Sequence, residues 1–147
     1  MAGGAPTSAL LKRVSRSFYL SLAVLPSAVR PTIGLAYLLA RAADTIADTR
    51  LIERRARITH LDAFRAEMTR SEPGRLAGIA RVVSASSPSA ERELIERLPE
   101  CFDALRALPR DDRDRVEKVI ETIVDYAASR RFLRLTPRRR RERRNAF

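Results

Sequence analysis

Four residues in one stretch, Tyr37, Arg41, Asp44 and Asp48, stand four, three and four positions apart. At 3.6 residues per turn this spacing stacks them along one side of a helix, within an arc of roughly 60°. Their helix is otherwise nearly all apolar, with Leu35, Leu38, Leu39, Ala42 and Ile46 opposite the stripe and Gly34, Ala40, Ala43 and Ala47 beside it. A helix that is apolar almost all round belongs in an interior, so the stripe is expected to be buried. Two carboxylates one turn apart repel by roughly a few tenths of a kcal/mol in water and by more when desolvated, so a cation must offset them. Arg41 can do so as an internal salt bridge. A Mg²⁺ ion can also do so, because it takes hard oxygen ligands and often draws only one or two carboxylates from the protein, filling its other positions with water and substrate phosphate. The small flanking residues leave room for such a ligand, and a guanidinium suits a phosphate oxygen. The stripe alone leaves both alternatives open.

The surrounding pattern predicts helices throughout. Thr7 or Ser8 can cap a first helix running to about Ser21, with Leu10, Leu11, Val14, Phe18 and Leu22 on its buried face. Ser15 and Ser17 within it carry no chemistry by themselves, since helical serines are commonly exposed or bonded back to the preceding turn. Pro26 breaks the chain, and Ser27 with Pro31 marks the start of the helix that bears the stripe. A third helix is expected to run to about Thr69 with Ile58, Leu61, Phe64 and Met68 inward, ended by Glu72-Pro73-Gly74. A short helix over 75–83 and a polar loop over 84–89 come next, with a new helix start at Ser87-Pro88. Leu94, Ile95, Leu98, Cys101, Phe102 and Leu105 keep helical spacing across Pro99, which should kink or interrupt their helix. The last helix begins near Pro109 and Asp111 and buries Val116, Val119, Ile120 and Ile123.

Composition narrows the function classes. The 147 residues are 45% hydrophobic, enough for one domain with a real core, and the abundance of Ala, Leu, Arg and Glu favours an all-α fold. The net charge of +11 is concentrated at one end: residues 129–147 hold nine arginines and one acid, Glu142. The single cysteine, Cys101, cannot close an internal disulfide and reads as a small apolar core residue, which suits a reducing compartment. No secretory signal opens the chain, and the longest apolar segment carries Arg41 and Asp44, which argues against a membrane span. There is no Gly-rich phosphate loop, no Cys/His metal cluster and only one histidine, His60, so a histidine-based triad has no foundation. Glu121 and Asp125 repeat the four-residue spacing beside a solvated face and read as surface charges.

Taken together, Ser15-Arg16-Ser17-Phe18-Tyr19, Leu25-Pro26, Arg30, Tyr37, Arg41 and Asp44-Thr-Ile-Ala-Asp48, in this order and at these separations, resemble the N-terminal part of the squalene/phytoene synthases, the head-to-head prenyl transferases. The resemblance implies an all-α, isoprenoid synthase-type helical bundle around a cavity lined by antiparallel helices. It implies that Asp44 and Asp48 bind Mg²⁺ holding a prenyl diphosphate, and that Arg41 contacts the diphosphate. Ser15, Arg16, Ser17 and Phe18 would lie near the same group, and Tyr37 would face the cavity. The implied reaction joins two prenyl diphosphates, with farnesyl diphosphate the expected substrate, through a cyclopropyl intermediate. NADPH is then needed if the product is squalene, whereas phytoene synthases start from geranylgeranyl diphosphate and need none. The implied setting is the cytoplasm, with peripheral association at a membrane surface.

The family's second aspartate-rich motif has no match after Asp48, and Asp125-Tyr126 is followed by Ala127-Ala128-Ser129 where Val-Ala-Gly is expected. The domain reading is therefore a partial synthase-like domain over 1–128 and an Arg-rich tail over 129–147, disordered or foreign to the fold. Such a truncated chain would hold one wall of a site and is expected to be impaired in turnover. A different class of function is a small helical module that uses the tail to bind nucleic acid or an anionic membrane.

Overall fold

The computed structural model describes residues 4–48, 54–69, 81 and 89–134. Within them are seven helices and no strand: α1 (Gly4–Val14), α2 (Arg16–Leu22), α3 (Arg30–Asp48), α4 (Arg54–Met68), α5 (Ser89–Glu96), α6 (Leu98–Ala107) and α7 (Arg110–Arg134). The expectations for a Glu72-Pro73-Gly74 stop, for a helix over 75–83 apart from Arg81, which is helical, and for a loop over 84–89 apart from Ser89, where α5 begins, lie outside the described residues, as do the arginines at 138–144. None of the described helices is long and apolar enough to cross a membrane.

Helix α3 is the hub, packed against each of the other six. Its sequence explains why: Gly34, Leu35, Leu38, Leu39, Ala42, Ala43, Ile46 and Ala47 are all buried, presenting apolar surface over most of the circumference. Gly34 matters for close approach. A Cβ there would lie 3.2 Å from a Leu11 methyl and 3.4 Å from one of Leu22, so the missing side chain lets α1 and α2 settle onto α3. Thr45, the one buried polar side chain among the described residues, donates its hydroxyl to the Arg41 carbonyl at 2.9 Å and so stays satisfied within the helix.

The rest of the core closes around this axis. Phe64 of α4 meets Phe102 of α6 edge to face at a centroid distance of 5.3 Å, and both rings are buried. Leu94, Ile95, Leu98, Cys101 and Leu105 are buried from α5 and α6, and Val116, Ile120 and Val124 from α7. Pro99 does interrupt the run: α5 ends at Glu96 and α6 starts at Leu98, putting the proline in its first turn where no amide is needed. Cys101 is buried, as its neighbours imply, and desolvation pushes its thiol up to about 11. The folded state therefore keeps that proton through pH 9–11 where an unfolded thiol loses it, so this contribution to stability fades as pH rises through that window. Iodoacetamide at pH 8 should leave Cys101 unmodified in the native chain and alkylate it rapidly in denaturant, read by intact mass.

Three details differ from the sequence pattern. The first helix is two, because Ser15 leaves the helical conformation (φ −152°, ψ 99°) to cap α2, its Oγ accepting the Phe18 amide at 3.3 Å. Ile58 and Val119, expected inward, are 37% and 52% exposed. On α4 the buried set is Leu61, Ala63, Phe64 and Met68, and on α7 it is Val116, Ile120 and Val124, so Leu61, Phe64, Met68, Val116 and Ile120 are buried as expected while Ile58 and Val119 fall at the margins of their stripes.

Candidate functional site

The polar stripe of α3 opens outward. Arg41, Asp44 and Asp48 are exposed and Tyr37 is half-buried, which corrects the expectation of a buried stripe. The physical reason is economical: the six packed helices take the apolar side of α3, and leaving the charges at the surface avoids their desolvation. Exposure also eases the repulsion between Asp44 and Asp48, since water screens them.

The two sequence motifs meet at one point. The Phe18 ring of α2 stacks on the Tyr37 ring of α3, with centroids 4.0 Å apart and planes inclined by 14°. This contact sets the Ser-Arg-Ser-Phe turn beside the upper end of the stripe. Ser15 and Ser17 have their hydroxyl oxygens 3.5 Å apart at the start of α2, and Ser21 bonds back to the Ser17 carbonyl. Arg16 and Ser17 are exposed there, and Arg16 makes no ion pair among the described residues. The intervening loop is clamped by Arg30, whose Nε and Nη2 donate to the carbonyls of Leu25 and Ala23 at 2.7 and 2.8 Å. Arg30 thus fixes the turn that carries α2 back onto α3. Replacing Ser15 with alanine should cost about 1 kcal/mol through the lost cap. The expected readout is a thermal midpoint lower by about 4 °C; an unchanged midpoint would mean that the cap does not hold α2.

Arg41 has a partner that the sequence pattern did not disclose. Its Nη2 lies 2.5 Å from Oε1 of Glu91 in the first turn of α5, with the two side chains 43% and 21% exposed. Next to it, Glu93 bridges Arg13 of α1 at 2.5 Å and Arg97 at 3.5 Å. The only advance signal for Glu91 was its type, an acid in the first turn of a helix. Pairing across 50 positions is not readable from local spacing. The Asp125 side chain, mostly exposed, pairs with Arg65 of α4, in keeping with its reading as a surface charge.

The donor set at Asp44 and Asp48 suits Mg²⁺ in a specific way. Two solvent-facing carboxylates on successive turns offer hard oxygen ligands while leaving the remaining positions to water and phosphate. Among the described residues no group of three or more His, Cys, Asp and Glu is placed to hold an ion by itself, so a closed all-protein cage of the calcium or zinc kind is not built here. Glu91 partly neutralises Arg41 and so opposes the binding of an anion beside it. Glu91→Gln should therefore tighten pyrophosphate binding by about two- to fivefold, corresponding to the small worth of an exposed ion pair, measurable by calorimetry in Mg²⁺ buffer.

A family model described as squalene/phytoene synthase matches residues 11–139. The helix α7 continues unbroken to Arg134 within the matched span. A solved ligand complex of the squalene synthase TcSQS superimposes with a TM-score of 0.65 at 21% identity, over 86% of this chain and 36% of that one. The helical bundle is therefore of the squalene synthase type, and the chain spans about a third of the length of that structure. No match was found among the curated proteins.

Proposed function

The chain belongs to the squalene/phytoene synthase family, and we propose that its α3 stripe binds the diphosphate of a prenyl diphosphate with Mg²⁺ held by Asp44 and Asp48, for head-to-head condensation in isoprenoid synthesis. The observation that carries this reading is the junction of the two motifs. Phe18 lies on Tyr37, and the stripe then continues through Arg41 to two exposed carboxylates on the same helix side.

Each side chain has a distinct task in this reading. Asp44 and Asp48 supply the anionic oxygens that a Mg–diphosphate needs, and their exposure leaves room for the phosphates. Bound there, the ion would neutralise charge developing on the diphosphate leaving group. Arg41 offers its guanidinium to a phosphate oxygen, exchanging it with Glu91, and Arg16, without an ion pair among the described residues, offers a second cation at the start of α2. The stacked Phe18–Tyr37 pair presents aromatic surface beside the charged groups, where it would shield an allylic cation from water and stabilise it through its π system. Farnesyl diphosphate is the proposed substrate.

The test is calorimetric titration of the purified chain with farnesyl diphosphate and, separately, with inorganic pyrophosphate, each in Mg²⁺ and in EDTA. Saturable binding of both in Mg²⁺ that disappears in EDTA supports the reading, with farnesyl diphosphate the tighter through its apolar chain. Binding indifferent to Mg²⁺ would overturn it.

A further inference from the structure

A cavity of about 350 Å³ lies away from the stripe, enclosed by α1, α2, the following turn and the first turns of α3. None of Phe18, Tyr37, Arg41, Asp44 or Asp48 lines it. Its floor is apolar, made by Leu11, Leu22 and Leu35, which are 3%, 7% and 3% exposed. Its rim is polar and carries Tyr19, Ser27 and Arg30. At ~30 Å³ per group, close to water's share of the liquid, the volume accommodates on the order of ten heavy atoms. It falls at the small end of the range typical of small-molecule sites.

The rim is electrostatically one-sided. No acid lines the cavity. Arg30 spends Nε and Nη2 on backbone carbonyls, which satisfies those donors and leaves its charge without a carboxylate partner among the described residues. Lys12 lies over the Tyr19 ring, 5.7 Å from the ring centroid, and also makes no ion pair among the described residues. By contrast, Arg13, next in sequence, is paired with Glu93. The hydroxyls of Tyr19 and Ser27 have no hydrogen-bond partner among the described residues, so they are available to a ligand.

We propose that this cavity is a second ligand site, distinct from the α3 stripe, that takes a single-chain anionic amphiphile: a chain of about eight to ten carbons on the leucine floor and a phosphate or carboxylate head at the Tyr19, Ser27 and Arg30 rim, with Lys12 beside it on the Tyr19 ring. Burial of an apolar chain against Leu11, Leu22 and Leu35 supplies the non-directional part of the affinity. The Arg30 charge and two open hydroxyls on the rim, reinforced by the neighbouring Lys12 ammonium, supply the preference for an anionic head. Because neither carboxylate of the stripe takes part, binding here needs no divalent metal and is independent of the function proposed above.

Octyl phosphate is the probe, titrated below its micelle concentration into the full chain in EDTA buffer, with octanol and inorganic phosphate as the two partial ligands. One saturable site for octyl phosphate is expected, with each partial ligand at least about tenfold weaker because each meets half of the site. Lys12→Gln should weaken octyl phosphate about threefold, and Ala23→Trp, at an exposed lining position, should weaken it at least tenfold by filling the mouth. Ser27→Trp, on the same rim, gives an equivalent obstruction should Ala23→Trp disturb the end of α2; circular dichroism identifies the folded variant. The Asp44→Asn/Asp48→Asn double variant should bind octyl phosphate as the parent does. Undiminished binding in a folded obstructed variant, loss in the double aspartate variant, octanol binding as tightly as octyl phosphate, or no saturable binding would each overturn the proposal.

Discussion

Changing both Asp44 and Asp48 to asparagine should lower the Mg²⁺-dependent affinity for farnesyl diphosphate by about 100-fold, on the order of 3 kcal/mol, while leaving the fold intact. Asparagine keeps the size and one oxygen of each side chain and removes the negative charge, which is the property a hard cation requires. The fold should tolerate the change because both residues are exposed and the helix is held from its opposite side by the buried leucines. The measurement is calorimetry with farnesyl diphosphate in Mg²⁺ beside a thermal melt of the same sample. Undiminished affinity in a folded double variant would remove the metal role from these carboxylates. A melt that collapses would instead show them to be structural members of α3.

Leu38→Ala should be the most damaging single truncation on α3. Leu38 is fully buried at the centre of the helix that every other described helix packs against. Truncation of such a leucine costs about 2–5 kcal/mol, the transfer of its lost methyls plus the cavity left where neighbours cannot collapse. Set against a typical domain stability of about 5–15 kcal/mol, this is enough to populate the unfolded state visibly at 37 °C. Urea unfolding followed by far-ultraviolet circular dichroism should show the midpoint shifted strongly down with the slope retained. A loss below about 1 kcal/mol would mean that α3 is not the organising helix.

The architecture was legible to the extent that it rests on local periodicity. Leu35, Leu38, Leu39 and Ile46 at helical spacing mark α3 as a core helix, and they are buried as that spacing requires. Pro99 marks a break because proline lacks an amide, and the break is there. Periodicity cannot decide which side of a nearly all-apolar helix its neighbours will choose. The stripe was expected inside because the helix as a whole looked buried. In fact the neighbours pack on the apolar side and bury Gly34, Ala43 and Ala47 as well, while Arg41, Asp44 and Asp48 stay exposed. Ile58 and Val119 lie at the edges of apolar stripes whose other members, Leu61, Phe64 and Met68 or Val116 and Ile120, are buried, and spacing alone does not fix how wide the covered arc will be. Ser15 shows a different limit: helix-compatible residues lie on both sides of it, and its capping role depends on a turn that tertiary packing selects.

At the site, the motif residues were visible in the sequence, and their partners were not. The stacking of Phe18 on Tyr37 joins residues 19 positions apart, and the Arg41–Glu91 pair joins residues 50 apart. Neither distance is encoded in helical spacing. Both contacts follow from the way α2 and α5 pack on α3, and Arg30 helps to set the first of them through its two carbonyl bonds across the loop.

The most direct test places an ion at the stripe and observes it there. With Mn²⁺ and pyrophosphate added to the ¹⁵N-labelled chain, paramagnetic broadening should begin at the amides of Arg41, Asp44 and Asp48 and spread next to the Ser15–Phe18 turn, and excess Mg²⁺ should reverse it. Broadening centred on any other part of the fold, or none at the stripe with pyrophosphate at saturation, would contradict the assignment of Asp44 and Asp48 as the metal-binding pair.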